Sequence, residues 1–447
     1  MLPKLWTIPI LIAVTASASA QIRLPALPLP SLQQLPLQTL PQTLGSTEAG
    51  ALDRLSGLRL TAISRLIRDN RHVIEADPNG EPVVRGEILA LSPSDGAIGR
   101  ARQAGFLVAR EQTLAAGALR VIVFTSPPDM STKRALKNLR ESDPDGTYDY
   151  NHIYTHAGGT IVAPAARSTA PTSQTATSQT VTSPASTAPT VTALNPASPT
   201  GTPPLGSTER PHIRVGLLDT GIESSHPIFH DSVVHAWGCA NKTVPSAHGT
   251  AVASLLLTHA SADLYAADVY CGLPTGGAVD AIIAALAWMT SERVPVINMS
   301  LVGPKNAMLE KTVAALVAEG YLLVAAVGND GPTAPPLYPA AYANVVGVTG
   351  VDAKRRVLIE ALHGPQVTFA ALGADMKAAN TEHAFVDVRG TSFAAPTVAG
   401  LLAEIVTAPD RSSADAAVDT LAKRAIDLGP PGKDLTYGFG LVGAEKP

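Results

Sequence analysis

The sequence predicts an α/β protein: a doubly wound parallel sheet in the C-terminal half, preceded by a small α+β unit and a disordered linker. Three observations carry this. From residue 212 onward, short apolar strands alternate with small-residue helices, a β-α-β-α order that calls for parallel strands with helices on both faces. Residues 55–156 read β-α-β-β-α with a last extended piece, the order of a split βαβ unit. Between the two, residues 157–211 repeat Ser, Thr, Ala and Pro, a composition that cannot supply a core.

Taken in order, residues 1–20 read as a secretory signal peptide. Lys4 is the positive start, residues 8–14 are apolar but too short to span a bilayer, and Ala18-Ser19-Ala20 fits cleavage. Residues 21–54 are a Pro-rich tether, since prolines at 25, 28, 30, 36 and 41 forbid a regular helix. Within 55–156, helices are predicted over 55–68, 97–104 and 131–141. Strands are predicted over 82–91, 106–112, 118–125 and 147–154. His152 lies among aromatic residues and reads as structural. The C-terminal part, 212–447, has predicted strands at 213–218, 263–270, 296–300, 321–327, 343–349 and 383–389. Helices are predicted from His248 to 257 and over 278–290, 307–319 and 394–408.

The net charge of −4 over 447 residues gives no electrostatic reason to expect a nucleic-acid partner, and a monomer is expected. Two cysteines, Cys239 and Cys271, exclude a disulfide-built scaffold. Both fall in the exported C-terminal part, and the sequence leaves the paired and the free state equally open. The reading implies export to the outside or the periplasm.

The chemistry gathers at Gly390-Thr391-Ser392-Phe393-Ala394-Ala395-Pro396, where a strand runs through glycine into a buried helix. Pro396 places the helix start close to Ser392. A serine there sits where unpaired N–H groups favour an oxyanion. A serine nucleophile needs a base, and the base an acceptor that fixes its tautomer. His248 opens a helix and Asp219 ends a buried strand, so both can reach one edge of a parallel sheet.

These residues also carry a family resemblance. Asp219-Thr220-Gly221-Ile222 with Ser225-His226-Pro227, His248-Gly249-Thr250 with Val252-Ala253, and the Ser392 stretch resemble the three catalytic segments of the subtilisin-like serine proteases, in their order. Ile297-Asn298-Met299-Ser300-Leu301 resembles the strand lining the family's substrate cleft. Ala325-Ala326-Val327-Gly328-Asn329 resembles the strand whose Asn donates to the oxyanion. Tyr338-Pro339-Ala340, 345–348 and Tyr437-Gly438-Phe439-Gly440-Leu441-Val442 fit as well.

The resemblance covers about 212–447 and implies an exported serine endopeptidase acting on protein or peptide through an acyl-enzyme. Asp219, His248 and Ser392 would be catalytic, with Asn329 as oxyanion donor. It implies that 55–156 is a pro-region that chaperones and inhibits in cis, and that the precursor processes itself. Substrate-binding walls would be Ser300, Leu301, Val302, Gly303, Ala326, Val327 and Gly328, with Leu337 near the floor. Val302 replaces a family glycine, so a shallow pocket preferring Ala, Val or Leu is expected. The chain lacks the Asn-rich loop after His248 that often binds calcium, so no cofactor and no metal are expected there. His226, His230 and His235 have a mixed spacing that argues against a metal cluster. An esterase or acyl transferase on the same triad is the alternative, as is a non-enzymatic scaffold, which would need a lost catalytic residue.

Overall fold

The computed structural model describes residues 48–114, 119–157, 160–162, 213–260 and 262–444. The leader, most of the tether and most of the linker lie outside them. The N-terminal unit runs α1 (Glu48–Asp69), β1 (Ile74–Ala76), β2 (Pro82–Leu91), α2 (Asp95–Gln103), β3 (Leu107–Leu114), β4 (Leu119–Thr125), α3 (Thr132–Ser142) and β5 (Thr147–His156). Ser94 and Ser131 cap α2 and α3, each side chain accepting a first-turn N–H.

After β6 (Thr160–Val162), the second unit begins with β7 (Arg214–Asp219), β8 (Val234–Trp237), α4 (Ala247–Thr258), β9 (Asp263–Asp268), β10 (Gly277–Ala278) and α5 (Val279–Ser291). It continues with β11 (Val296–Met299), β12 (Leu301–Val302), α6 (Ala307–Ala318), β13 (Leu322–Ala326), β14 (Val346–Val351) and β15 (Val367–Leu372). It ends with β16 (Met376–Ala379), β17 (Phe385–Arg389), α7 (Thr391–Ala403) and α8 (Arg411–Arg424).

The second unit is built on a parallel sheet of order β15-β14-β13-β11-β7-β9-β8. Helix α7 is buried almost along its whole length against the sheet centre. The strand order reverses beside β7, which puts the ends of β7 and β11 at the switch point where such sheets bind ligands. This is the doubly wound architecture expected.

The N-terminal sheet is antiparallel, in the order β5-β2-β4-β3. Its alternating side chains enter two different cores. Ile88, Ala90, Ile122 and Phe124 pack with α2 and α3, while Leu89, Val121 and Val123 join the core of the second unit. A sheet with one polar face would not need a partner; this one is apolar on both and is covered on both. Two side chains of β5 finish the contact by capping helices. Asp149 accepts from Ala307 N at 2.7 Å at the start of α6, and Asn151 accepts from Asp280 N at 3.2 Å at the start of α5.

Two differences from the sequence reading stand out. Strand β5 extends to His156, and the linker's expected first residues include buried Ala157 and β6. Both depend on pairing with distant strands, which composition does not register. The two-residue strands β10 and β12 are likewise too short to carry any periodicity.

Candidate active site

Strand β7 is buried from Val215 onward and delivers Asp219, fully buried, at its carboxyl end. Its Oδ1 lies 2.8 Å from His248 Nδ1 and accepts from Thr220 N at 2.6 Å and Thr220 Oγ1 at 3.1 Å. Burial pushes the Asp219 carboxyl upward, but His248 and the hydrogen bonds outweigh it and hold the group below its ordinary value. A carboxylate on Nδ1 keeps the proton there and leaves Nε2 as the basic nitrogen. His248 Nε2 and Ser392 Oγ are both buried with no hydrogen bond to the described residues. The Phe393 ring, 5.3 Å from the imidazole, seats the start of α7 beside it.

Pro396 lies in the second turn of α7 rather than the first. It has no N–H to give Ser392 O four residues back, so that carbonyl is free for another donor. Ser300 Oγ takes it at 3.0 Å and itself accepts from Asn298 Nδ2 at 2.9 Å. Expected as a wall of the substrate pocket, the Ser300 side chain is instead turned under the serine helix. Asn329 is oriented from the same place. Its Oδ1 accepts from Thr391 N at 3.1 Å, which leaves Nδ2 to point outward as donor.

The N-terminal unit occupies the cleft. Strand β5 pairs antiparallel with β12 (His156 with Leu301, Thr155 with Val302) and with β10 (Tyr154 with Gly277, Ile153 with Ala278). At its end the carbonyl of Ala157 accepts a hydrogen bond from Asn329 Nδ2. Beyond residues 158–159, β6 pairs with β17, and β17 leads directly to Ser392. The His156 ring stacks on Tyr270 at 4.6 Å and lies tilted on His248 at 4.2 Å. Burial, then the His248 charge, lowers its pKa to about 3. Asp219, His156 and His248 bring possible metal-ligand atoms together. The Asp219–His248 bond engages Oδ1 and Nδ1, while Asp219 Oδ2, His248 Nε2 and His156 Nδ1 have no hydrogen-bond partner among the described residues.

Residues of the expected pocket divide. Leu301, Val302 and Gly303 meet β5 directly, and Leu337 packs against Gly328 so closely that a Cβ there would fall 2.6 Å from Leu337 Cδ1. Ala326 ends β13 and is buried, and Val327, also buried, lies over Gly347 of β14. Cys239 and Cys271 form a disulfide with a Cα separation of 5.2 Å. It ties the segment before α4 to the one after β9, beside Asp268, whose carboxylate accepts from Val244, Tyr270 and Cys271 N–H. Of the three histidines weighed as a metal cluster, His226 accepts from Ile228 N, and His235, on β8, stacks on Tyr265.

Sequence reasoning missed Tyr154, His156, Ala157 and Tyr270. The one available signal is that Tyr154-Thr155-His156-Ala157 closes the last ordered stretch before the linker, with a small residue at its end.

The model of the subtilase family matches residues 211–440. Subtilisin DY of Bacillus licheniformis is 30% identical over 250 residues, covering 52% of this chain and 90% of that protein. Subtilisin BL of Lederbergia lenta is 32% identical over 247 residues, covering 52% and 89%. The solved structure of fervidolysin from Fervidobacterium pennivorans superposes with a TM-score of 0.59 at 17% identity, over 83% of this chain and 61% of that one. That similarity concerns the fold and reaches beyond the family-matched segment. With the catalytic half matched along nearly the whole length of two subtilisins, the chain belongs to the subtilase family and is a subtilisin-like serine endopeptidase.

Proposed function

We propose that the chain is the precursor of an exported endopeptidase that uses Asp219, His248 and Ser392, and that it cuts itself at the bond after Ala157. Ser392 Oγ attacks the Ala157 carbonyl carbon while His248 Nε2 takes the hydroxyl proton. Asp219 holds the imidazole tautomer and its cation. Asn329 Nδ2 and the N–H groups opening α7 receive the oxyanion. Collapse breaks the C–N bond, His248 returns the proton to the Gly158 amine, and water then releases the acyl group. Residues 48–157 afterwards remain as occupant of the cleft and inhibit in cis. The leader at 1–20 supports export, as does similarity to a Bacillus subtilis protein named a minor extracellular protease, 28% identical over 38% of its length.

The observation that carries the proposal is the Ala157 carbonyl on Asn329, at the end of a strand paired on both sides. A peptide bound this way favours peptide over ester substrates. The test is intact mass and N-terminal sequence of the wild type beside Ser392→Ala. The wild type is expected to begin at Gly158 or later, and the variant to stay full length. Normal maturation of Ser392→Ala in a protease-free host would sink the assignment.

A further inference from the structure

We infer that Arg59 is a positioning residue for self-processing. Its guanidinium ties the turn that carries Asn329 to the unit that carries the Ala157 carbonyl. The inference rests on the reading that the chain cuts itself after Ala157, and it adds a group that no free peptide substrate supplies.

Helix α1 crosses the outer side of β5. Successive residues of a strand point to opposite faces, and Tyr154 enters the core of the second unit while Ile153 does not. Ile153 is covered instead by Leu66 of α1 and Ile74 of β1. Over this stretch β10 and β12 pair with the strand, the second unit takes its inner face and α1 its outer one. Arg59 lies seven residues before Leu66, two turns along the same side of α1, about 10 Å away.

Arg59 Nε lies 3.1 Å from Asp330 Oδ2, and its two terminal nitrogens donate to the two oxygens of Glu81 at 3.3 and 3.2 Å. The three side chains are only 17–20% exposed, so solvent screens the bridge weakly. Burial pushes the Asp330 carboxyl up, and the Arg59 charge opposes that push.

Each end of the bridge leads to a reacting group. Asp330 directly follows Asn329, whose Nδ2 donates to the Ala157 carbonyl. Beyond it, Gly331 N donates to Glu360 O at 2.8 Å, so the backbone holds one side of this turn and Arg59 the other. At the far end, Glu81 N donates to Asp77 Oδ1 at 2.8 Å, and Asp77 Oδ2 lies 3.4 Å from His152 Nε2 on β5. The path therefore closes into a ring, from Asn329 through Asp330, Arg59, Glu81 and Asp77 back to the strand being cut. Such a ring limits how far the oxyanion donor drifts from the carbonyl, and small misplacements of a donor cost rate steeply.

The test follows the full-length chain, made in a cell-free system, by timing the appearance of the Gly158 terminus. Arg59→Ala is expected to slow the cut about ten- to a hundredfold. Arg59→Lys is expected to recover part of the rate, since an ammonium keeps a charge facing Asp330 but cannot fork onto Glu81. Asp330→Asn is expected to slow the cut comparably, and adding Arg59→Ala to it to cost less than about twofold more. Once matured, the Arg59→Ala protein is expected to match the wild type in kcat and KM on a peptide, because residue 59 has left the cleft. An unchanged rate in Arg59→Ala, no recovery with Lys, or a full further loss on top of Asp330→Asn overturns the inference while wild-type cutting after Ala157 keeps the precursor reading standing. A wild type that does not cut there overturns both.

Discussion

Two buried histidines of this chain face aspartates, and they differ in what the other side of the ring meets. His248 gives Nδ1 to Asp219 at 2.8 Å, and its Nε2 has no partner among the described residues. His152, on β5, lies 3.4 Å from Asp77 through Nε2, and its Nδ1 accepts from Asn306 Nδ2 at 2.9 Å. Asn306 cannot turn to offer anything else, because its Oδ1 accepts from Met308 and Leu309 N–H at the start of α6. A histidine with both nitrogens engaged is a strut between the two units. One with a free, basic nitrogen can carry a proton. An Asp–His contact alone does not separate the two; the second nitrogen does.

The largest expected effect breaks the comparison if it fails. His248→Ala should lower kcat on the order of 10⁴–10⁶, the range found for triad residues of a relative, subtilisin. His152→Ala should leave kcat of the matured enzyme unchanged. It should lower the stability of the Ser392→Ala precursor by about 1–2 kcal/mol, read from urea midpoints, because the contacts of His152 to Asp77 and Asn306 are lost while Asn306 keeps Tyr150 O. Comparable loss of kcat in the two variants would erase the distinction.

The His248 side is also the one braced covalently. Titration of the denatured, unreduced protein should find no free thiol. Replacing both cysteines by serine should cost about 3–4 kcal/mol for a closed loop of 32 residues. Two titratable thiols would remove that brace from the account.

Asn329 resembles Asn306 in having its amide oxygen spent on a helix start, but its Nδ2 meets the Ala157 carbonyl, whereas that of Asn306 is shared between the Tyr150 carbonyl and a ring nitrogen. Asn329→Ala should lower kcat about 10²–10³-fold with little change in KM, the size measured for an oxyanion donor in subtilisin. A loss confined to KM would reassign it to binding.

His156 links the two cases through its contact with His248. Its pKa falls from 6.5 to about 3, so the docked strand binds the proton less readily than the free one. Stability of docking is therefore complete above pH 6.5 and declines as pH falls toward 3. Asp219, depressed below 3.8, loses its contribution only at still lower pH. Between pH 7 and 5 the Ser392→Ala precursor should lose about 2 kcal/mol more than Ser392→Ala/His156→Phe. His259 and His363, also lowered by burial, act in both proteins and cancel in the difference. Identical pH slopes would show that His156 is not what couples docking to protons.

The smallest effect concerns Val302. Val302→Gly should raise kcat/KM for peptides with Phe or Tyr before the cut several-fold, with Ala peptides little changed, in a library profile. An unchanged profile means that Leu337 alone sets the depth.

Some of this was determined by the sequence itself. Alternating apolar strands and small-residue helices specify a parallel sheet because strand and helix burial have different periods. Asp219, His248 and Ser392 are legible because a strand end, a helix start and a glycine-led helix start are local conformations set by neighbouring residues. Other features depended on the tertiary structure. Ser300 reads as a pocket wall until α7 is packed over it and the absent N–H of Pro396 leaves the Ser392 carbonyl for its hydroxyl. Cys239 and Cys271 pair only once β9 has carried one thiol beside the other. The seating of Tyr154, His156 and Ala157 needs β10, β12 and Asn329, more than a hundred residues further along the chain. Local preferences act over a few residues through backbone sterics and hydrogen bonding, so they place each group on its own element. Which groups then meet is decided by how the faces of the sheet close on one another, and by a second unit whose apolar face had to be covered.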